Sequence, residues 1–217
     1  MEFVVLGWPS DGPTLRLDYR RFAYAGKFVM STTGKAVVRD SNAREVDQAR
    51  EVDEARAPVG VDTVPELDEE FDTDVVAALS FNADRTDESI LWYRYVTVRS
   101  DAKGSGLGPR LAAFVALRAA EQGFERIRIA VNNPFAYEAM HKAGFAWTGE
   151  ETGVAELVLE RPTSWDGASV RPEPVATDTY QAGLDRYRER DLGDPEASFL
   201  RERIAADPPS PCAVPET

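Results

Sequence analysis

The sequence predicts a mixed α/β fold, and three observations predict it. A strand-like run of apolar and aromatic residues spans Ile90–Val98, glycines follow at 104, 106 and 108, and helical and strand periods alternate from there to Leu159. Period separates the two element types, because side chains alternate across a strand but recur every about 3.6 residues along a helix.

Taken in order, Phe3–Leu6, Leu15–Tyr24 and Ala36–Val38 read as strands, with turn signals at Asp11-Gly12-Pro13 and Thr33-Gly34. Residues 44–55 hold a duplication, Arg44-Glu-Val-Asp-Gln-Ala49 and then Arg50-Glu-Val-Asp-Glu-Ala55. A step of about six residues turns a helix by about 600°, about 120° out of register, so Val46 and Val52 share no face. The segment 41–73 is acidic with little to bury and reads as a solvated insertion.

Ile90–Val98 carries Trp92, Tyr93, Tyr95, Val96 and Val98, apolar on both faces as a central strand requires. Leu107, Leu111, Phe114 and Val115 then recur at helical spacing, with Pro109 in the first turn and Gly123 after the end. Ile127, Ile129 and Val131 alternate with Arg126 and Arg128 as a further strand. Asn133 reads as the N-cap of a short helix that opens on Pro134, carries Phe135, Ala136, Tyr137, Ala139 and Met140, and ends near Gly144-Phe145. A hairpin of Phe145–Thr148 and Ala155–Leu159 closes this stretch.

The loop from Lys103 to Gly108 brings backbone N–H groups together where no Cβ obstructs an anion, and the following helix adds its unpaired N-terminal donors. A dinucleotide-binding loop fails because Pro109 stands where its third glycine is needed, and no Gly-Lys-Ser/Thr closes a P-loop. Val98-Arg-Ser-Asp-Ala-Lys-Gly-Ser-Gly-Leu-Gly108 resembles the first motif of the GCN5-related N-acetyltransferase (GNAT) family, with Ser100 at its proline and Lys103 at its Arg/Gln. Asn133, Ala136, Met140, Lys142, Gly144 and Phe145 resemble its second, and the resemblance covers about residues 75–162.

The resemblance implies the GNAT fold, a central mixed and largely antiparallel twisted sheet flanked by helices. It implies an N-acetyltransferase using acetyl-CoA as cosubstrate, the acceptor amine attacking the thioester directly. Val96, Thr97, Val98, Lys103, Gly104, Ser105, Gly106, Leu107, Gly108, Asn133 and Met140 are the implied coenzyme-binding residues. The loop amides would hold the pyrophosphate, the strand backbone would pair with the pantetheine arm, and an N–H near Val98 would face the oxyanion.

Met140 departs from the family, which often has a tyrosine there to protonate the departing thiolate; a thioether donates no proton. Tyr137, one turn earlier, is the substitute acid or a core residue, and His141, the only histidine, reads as a surface residue. No general base stands out: Glu88 lies at the outer end of the strand, and Tyr93, Tyr95 and Thr97 lie within it. These gaps keep a second reading open, a non-catalytic module that binds and senses acyl-CoA.

The net charge of −13 argues against nucleic acid as a partner. Lysine occurs only at 27, 35, 103 and 142, and this acidic, arginine-preferring composition resembles haloarchaeal cytoplasmic proteins. The acidity reads as solubility in molar salt, where a screening length of about 3 Å leaves little steering of cationic substrates. One cysteine, Cys212, gives no disulfide framework and no Cys-based metal site, and no apolar run reaches the length of a membrane span. The expected setting is cytoplasmic, without metal or membrane contact.

The predicted organisation is an acetyltransferase domain at 1–162 with the acidic insertion at about 41–73, then a helical extension with a flexible tail at 163–217. Tyr180–Arg190 and Pro195–Ala205 read as helices docked through Leu184, Tyr187, Phe199 and Ile204, and Asp207–Thr217 as a loose tail. The extension would pack on the domain, cover the acceptor cleft or join a second subunit in a homodimer. Trp8, Tyr19, Phe22 and Tyr24 are core aromatics or the lining of the acceptor pocket, whose small-molecule or peptide amine stays open.

Overall fold

The computed structural model describes residues 1–9, 12–40, 71–163 and 175–215. Seven strands form one sheet: β1 (Glu2–Gly7), β2 (Gly34–Arg39), β3 (Val75–Ala83), β4 (Ile90–Val98), β5 (Arg126–Val131), β6 (Ala146–Glu151) and β7 (Leu157–Pro162). Their order is β1-β2-β3-β4-β5-β7-β6, with β4 and β5 parallel and the other neighbours antiparallel. The mixed, largely antiparallel sheet flanked by helices is therefore observed. The continuous apolar run Val75–Leu79, to which the sequence reading gives no element, is fully buried as β3.

Helix α1 (Leu107–Glu121) makes the crossover from β4 to β5, and helix α2 (Pro134–Lys142) follows β5. Both bury their apolar faces on one side of the sheet, where Leu79, Phe81, Leu91, Tyr93, Leu111, Val115, Ile127, Ile129 and Leu159 form the main core. The opposite face has a smaller core of Leu15, Leu17, Phe22, Phe28, Val37, Val75 and Ala78. The segment covering it is not the strand expected at Leu15–Tyr24. Leu15 N–H bonds Phe28 O at 3.1 Å, and Arg16 exchanges bonds with Asp72, so the chain is held by turns and tertiary contacts rather than a ladder. Phe22 joins this core and Trp8 packs on Phe81, whereas Tyr19 and Tyr24 are exposed. The duplication lies outside the described residues.

The extension contains α3 (Thr177–Arg188) and α4 (Asp194–Arg201). It packs on α2 and β6, on the side of α1 rather than on the opposite face. Leu184 and Tyr187 are fully buried, but Ile204 is exposed; Phe199 packs on Phe135 at 4.7 Å. The expected loose tail is laid down as far as Pro215: Thr177 donates to Asp207, and Cys212 N–H bonds Lys142 O at 2.7 Å at the end of α2.

Candidate functional site

The site begins with an irregularity in β4. Phe81 pairs with Tyr93 and Ser80 with Tyr95, so Arg94 is an extra residue, a β-bulge. The parallel pairing of β4 with β5 ends at the same place, at Tyr93–Ile129, whereas β3 follows β4 to Val98. From Arg94 onward β4 therefore has no partner strand on its β5 side among the described residues, and a cleft opens between the two strands. Its β4 wall carries the backbone of Val96, Thr97 and Val98, with the Thr97 side chain buried toward the second core.

At the mouth of that cleft the chain turns into α1. Gly104 and Gly106 have φ of 81° and 78°, a region that other residues rarely adopt. No heavy atom lies within 4 Å of where a Cβ would stand on either, so the space above the loop is open. Gly108 sits against Val98 and Val96, whose side chains would lie 3.5 and 3.9 Å from an added Cβ; α1 thus starts close to β4. No side chain caps α1, unlike α2, and its first amides lack intrahelical acceptors. Ser105 Oγ bonds Ala102 O, Lys103 is exposed, and Leu107 is buried beneath the loop. Arg99 and Arg21 converge on Asp101 at the head of the loop, at 2.7 and 3.4 Å.

Helix α2 supplies the second group of expected residues. Asn133 is the N-cap, its Oδ1 accepting from Ala136 N–H at 2.8 Å, and Pro134 opens the helix. Met140 lies on the inner side of α2, buried in the main core with residues of α1 and β4. Tyr137 belongs to the same core but lies beneath α3, where its hydroxyl donates to Tyr180 O at 3.1 Å and its ring packs on Tyr180 and Tyr187. Burial, reinforced by Tyr180 and Tyr187, pushes the Tyr137 hydroxyl well above the ordinary phenol range, which makes it a reluctant acid.

His141 is not at the surface. Only 3% of it is exposed, its ring lying 4.5 Å from Tyr137 and 4.8 Å from Tyr180, because α3 covers this side of α2. Burial lowers its pKa to about 4, partly opposed by Glu138, and neither ring nitrogen has a hydrogen-bond partner among the described residues. On β4, Tyr93 points into the main core and donates to Ala112 O at 2.8 Å, while Glu88 stays exposed before the strand.

This bulged strand, diverging partner and uncapped glycine turn lie within residues 71–145, and the model of the "Acetyltransferase (GNAT) family" matches residues 40–145. That stretch is similar to the GNAT family.

No curated protein matches the sequence. Among solved structures, an N-acetyltransferase from Staphylococcus aureus Mu50 is 17% identical with a TM-score of 0.38, over 44% of this chain and 65% of its own. The PaiA N-acetyltransferase from Thermoplasma acidophilum, solved with coenzyme A, is 14% identical with a TM-score of 0.36, over 43% of this chain and 57% of its own. A GNAT-superfamily phosphinothricin acetyltransferase from Sinorhizobium meliloti, solved with AcCoA, is 15% identical with a TM-score of 0.43, over 68% of this chain and 71% of its own. The chain thus spans less than two thirds of the first two. Among the described residues no helix is long and apolar enough to cross a membrane.

Within the matched stretch, the residue that sequence reasoning missed is Arg94. Its signal was present: an arginine interrupts the otherwise apolar and aromatic Ile90–Val98.

Proposed function

We propose that the protein is an N-acetyltransferase that transfers the acetyl group of acetyl-CoA to a primary amine by direct attack on the thioester. The observation that carries this reading is the parting of β4 from β5 after Tyr93–Ile129, beside an open glycine turn at the uncapped start of α1. An open strand edge accepts an extended amide-bearing arm as an added strand would be accepted. Backbone donors at a helix N-terminus receive phosphate oxygens, and Gly104 and Gly106 leave room for the approach.

In this reading Val96, Thr97 and Val98 pair with the pantetheine through their backbone, and Lys103, Gly104, Ser105, Gly106, Leu107 and Gly108 receive the pyrophosphate. An N–H near Val98 faces the carbonyl oxygen as charge develops on it. Asn133 fixes the start of α2 through its cap, and Met140 supports the leaving-group side as an apolar wall. Tyr137 is a packing residue in this scheme: its hydroxyl is committed to α3. Positioning two reactants contributes about 7–11 kcal/mol to such a transfer, so catalysis proceeds without a dedicated acid.

We place the protein in the cytoplasm at high salt, in keeping with its charge of −13. Two assays test the reading: calorimetric titration of acetyl-CoA in molar KCl against dephospho-CoA and ATP, and amine-dependent release of the coenzyme thiol. Saturable binding that prefers acetyl-CoA, with thiol release on adding an amine, is the expected result. Absence of binding by the folded protein overturns the reading.

A further inference from the structure

The acceptor side of the cleft has an unusual charge pattern. Register places Asn82, Trp92, Arg128 and Glu160 in one row across the sheet face opposite α1, and Ser80 and Tyr95 in the next. Arg94, the bulged residue, lies between these rows where β4 and β5 part. Its guanidinium stands over the Trp92 ring at 5.3 Å, and its Nε donates to Asn82 Oδ1. Those contacts fix the group and leave its two terminal nitrogens without a hydrogen-bond partner among the described residues.

The arginines of β5 are neutralised, whereas Arg85 is exposed and adds its charge to that of Arg94. Arg128 pairs with Glu160 at 2.6 Å and Arg126 with Asp87 at 3.2 Å. Asp84, whose charge acts on Arg94 without forming a salt bridge to it, accepts from Trp92 Nε1 at 2.6 Å and from Thr86 Oγ1 at 2.7 Å. On the other flank, Lys27 Nζ lies 5.9 Å from the centre of the Tyr95 ring, again with no carboxylate partner among the described residues. A chain of net charge −13 thus presents Arg94 and Lys27, neither in a salt bridge among the described residues, beside the place where β4 and β5 part.

We infer that the acceptor is an amine that also bears a carboxylate, which Arg94 receives through its outward edge, with Lys27 adding positive potential from the other side of Tyr95. This specificity rests on the acetyltransferase reading above. A simple amine or polyamine arrives as a cation and meets like charge there, whereas an amino acid brings the anion that cancels it. A planar guanidinium binds a carboxylate through two parallel bonds, a geometry that lysine cannot reproduce. The same field favours the neutral, nucleophilic form of the amine, since a nearby cation lowers an amine pKa. That contribution matters in a site where neither Tyr93 nor Tyr137 offers a free hydroxyl.

The test is thiol release from acetyl-CoA with matched pairs of L-amino acids and the amines that lack only the carboxylate, for the wild type, Arg94→Gln and Arg94→Lys. The wild type is expected to favour the carboxylate-bearing member in kcat/KM by about tenfold or more, the worth of one charge-assisted hydrogen bond. Arg94→Gln is expected to shrink that ratio by about 10- to 100-fold, and Arg94→Lys to keep part of it. Equal use of both members, or an Arg94→Gln loss that strikes both alike, overturns the inference and leaves acetyl transfer standing. Coenzyme binding with no turnover of any amine removes both. Arg94 is exposed, so thermal melting separates a folding defect from a change of selectivity.

Discussion

Replacing Tyr137 by Phe separates two roles for the same hydroxyl. The structure gives it one bond, to Tyr180 O at 3.1 Å, within a fully buried interface. That carbonyl lies inside α3 and also accepts the bond that interior helical carbonyls receive, so the variant leaves no orphaned acceptor. The loss is then a net hydrogen bond, about 0.5–1.5 kcal/mol. For a chain of this size each kcal/mol lowers Tm by about 2–4 °C. Urea denaturation and calorimetric melting read the stability, and thiol release at saturating acetyl-CoA reads kcat. The expected outcome is a small loss of stability with kcat unchanged. A fall of about 100-fold or more in kcat, the scale of a lost general acid, would refute the argument and make Tyr137 the proton donor.

Gly106→Val places a β-branched residue at φ 78°, which costs about 1–2 kcal/mol of stability, and its side chain fills the open space above the loop. Acetyl-CoA titration should show at least about tenfold weaker binding by the folded variant, and unchanged affinity would take the loop out of the site. His141 titrates near 4 in the fold against 6.5 unperturbed, so the unfolded chain takes up the extra proton between those values. Its contribution is intact above pH 6.5 and is lost as the pH falls toward 4, by about 3 kcal/mol at most. Denaturation midpoints at pH 4.5 and 7 should converge for His141→Phe; an unaltered pH slope would exonerate the ring. Met140→Tyr overpacks the main core by about 1–3 kcal/mol yet raises kcat by about tenfold or more. An unaltered kcat would place residue 140 away from the departing thiolate.

The readable parts of the chain were those whose pattern is local. The glycines after Ile90–Val98, the Asn133-Pro134 start of α2 and the alternation of Ile127, Ile129 and Val131 each announce an element from neighbours in sequence. The illegible parts depend on distant partners. Leu15 and Leu17 alternate like a strand, yet Phe28 supplies the bond to Leu15 and the second core buries both. His141 looks like a solvent position until α3, about forty residues on in the fold, covers it. The bulge at Arg94 could not be counted without β3 opposite it, and the parting of β4 from β5 is a property of two strands together.

The extension grips the wall of the cleft rather than hanging from it. Tyr187 donates to Val131 O at 2.9 Å at the end of β5, Arg203 pairs with Glu138 on α2, and Cys212 bonds the last turn of that helix. A chain cut after residue 162 would lose the Tyr180 bond of Tyr137, the Arg203 bridge of Glu138, the Tyr180 ring over His141 and the Tyr187 bond at the end of β5 at one stroke. The portion that matches the family model is therefore not the portion to express alone. A cargo or surface fused to the carboxyl end would pull through these same bonds on α2 and on the end of β5, and under the proposed function that tension would be read as a change in acetyl-CoA affinity.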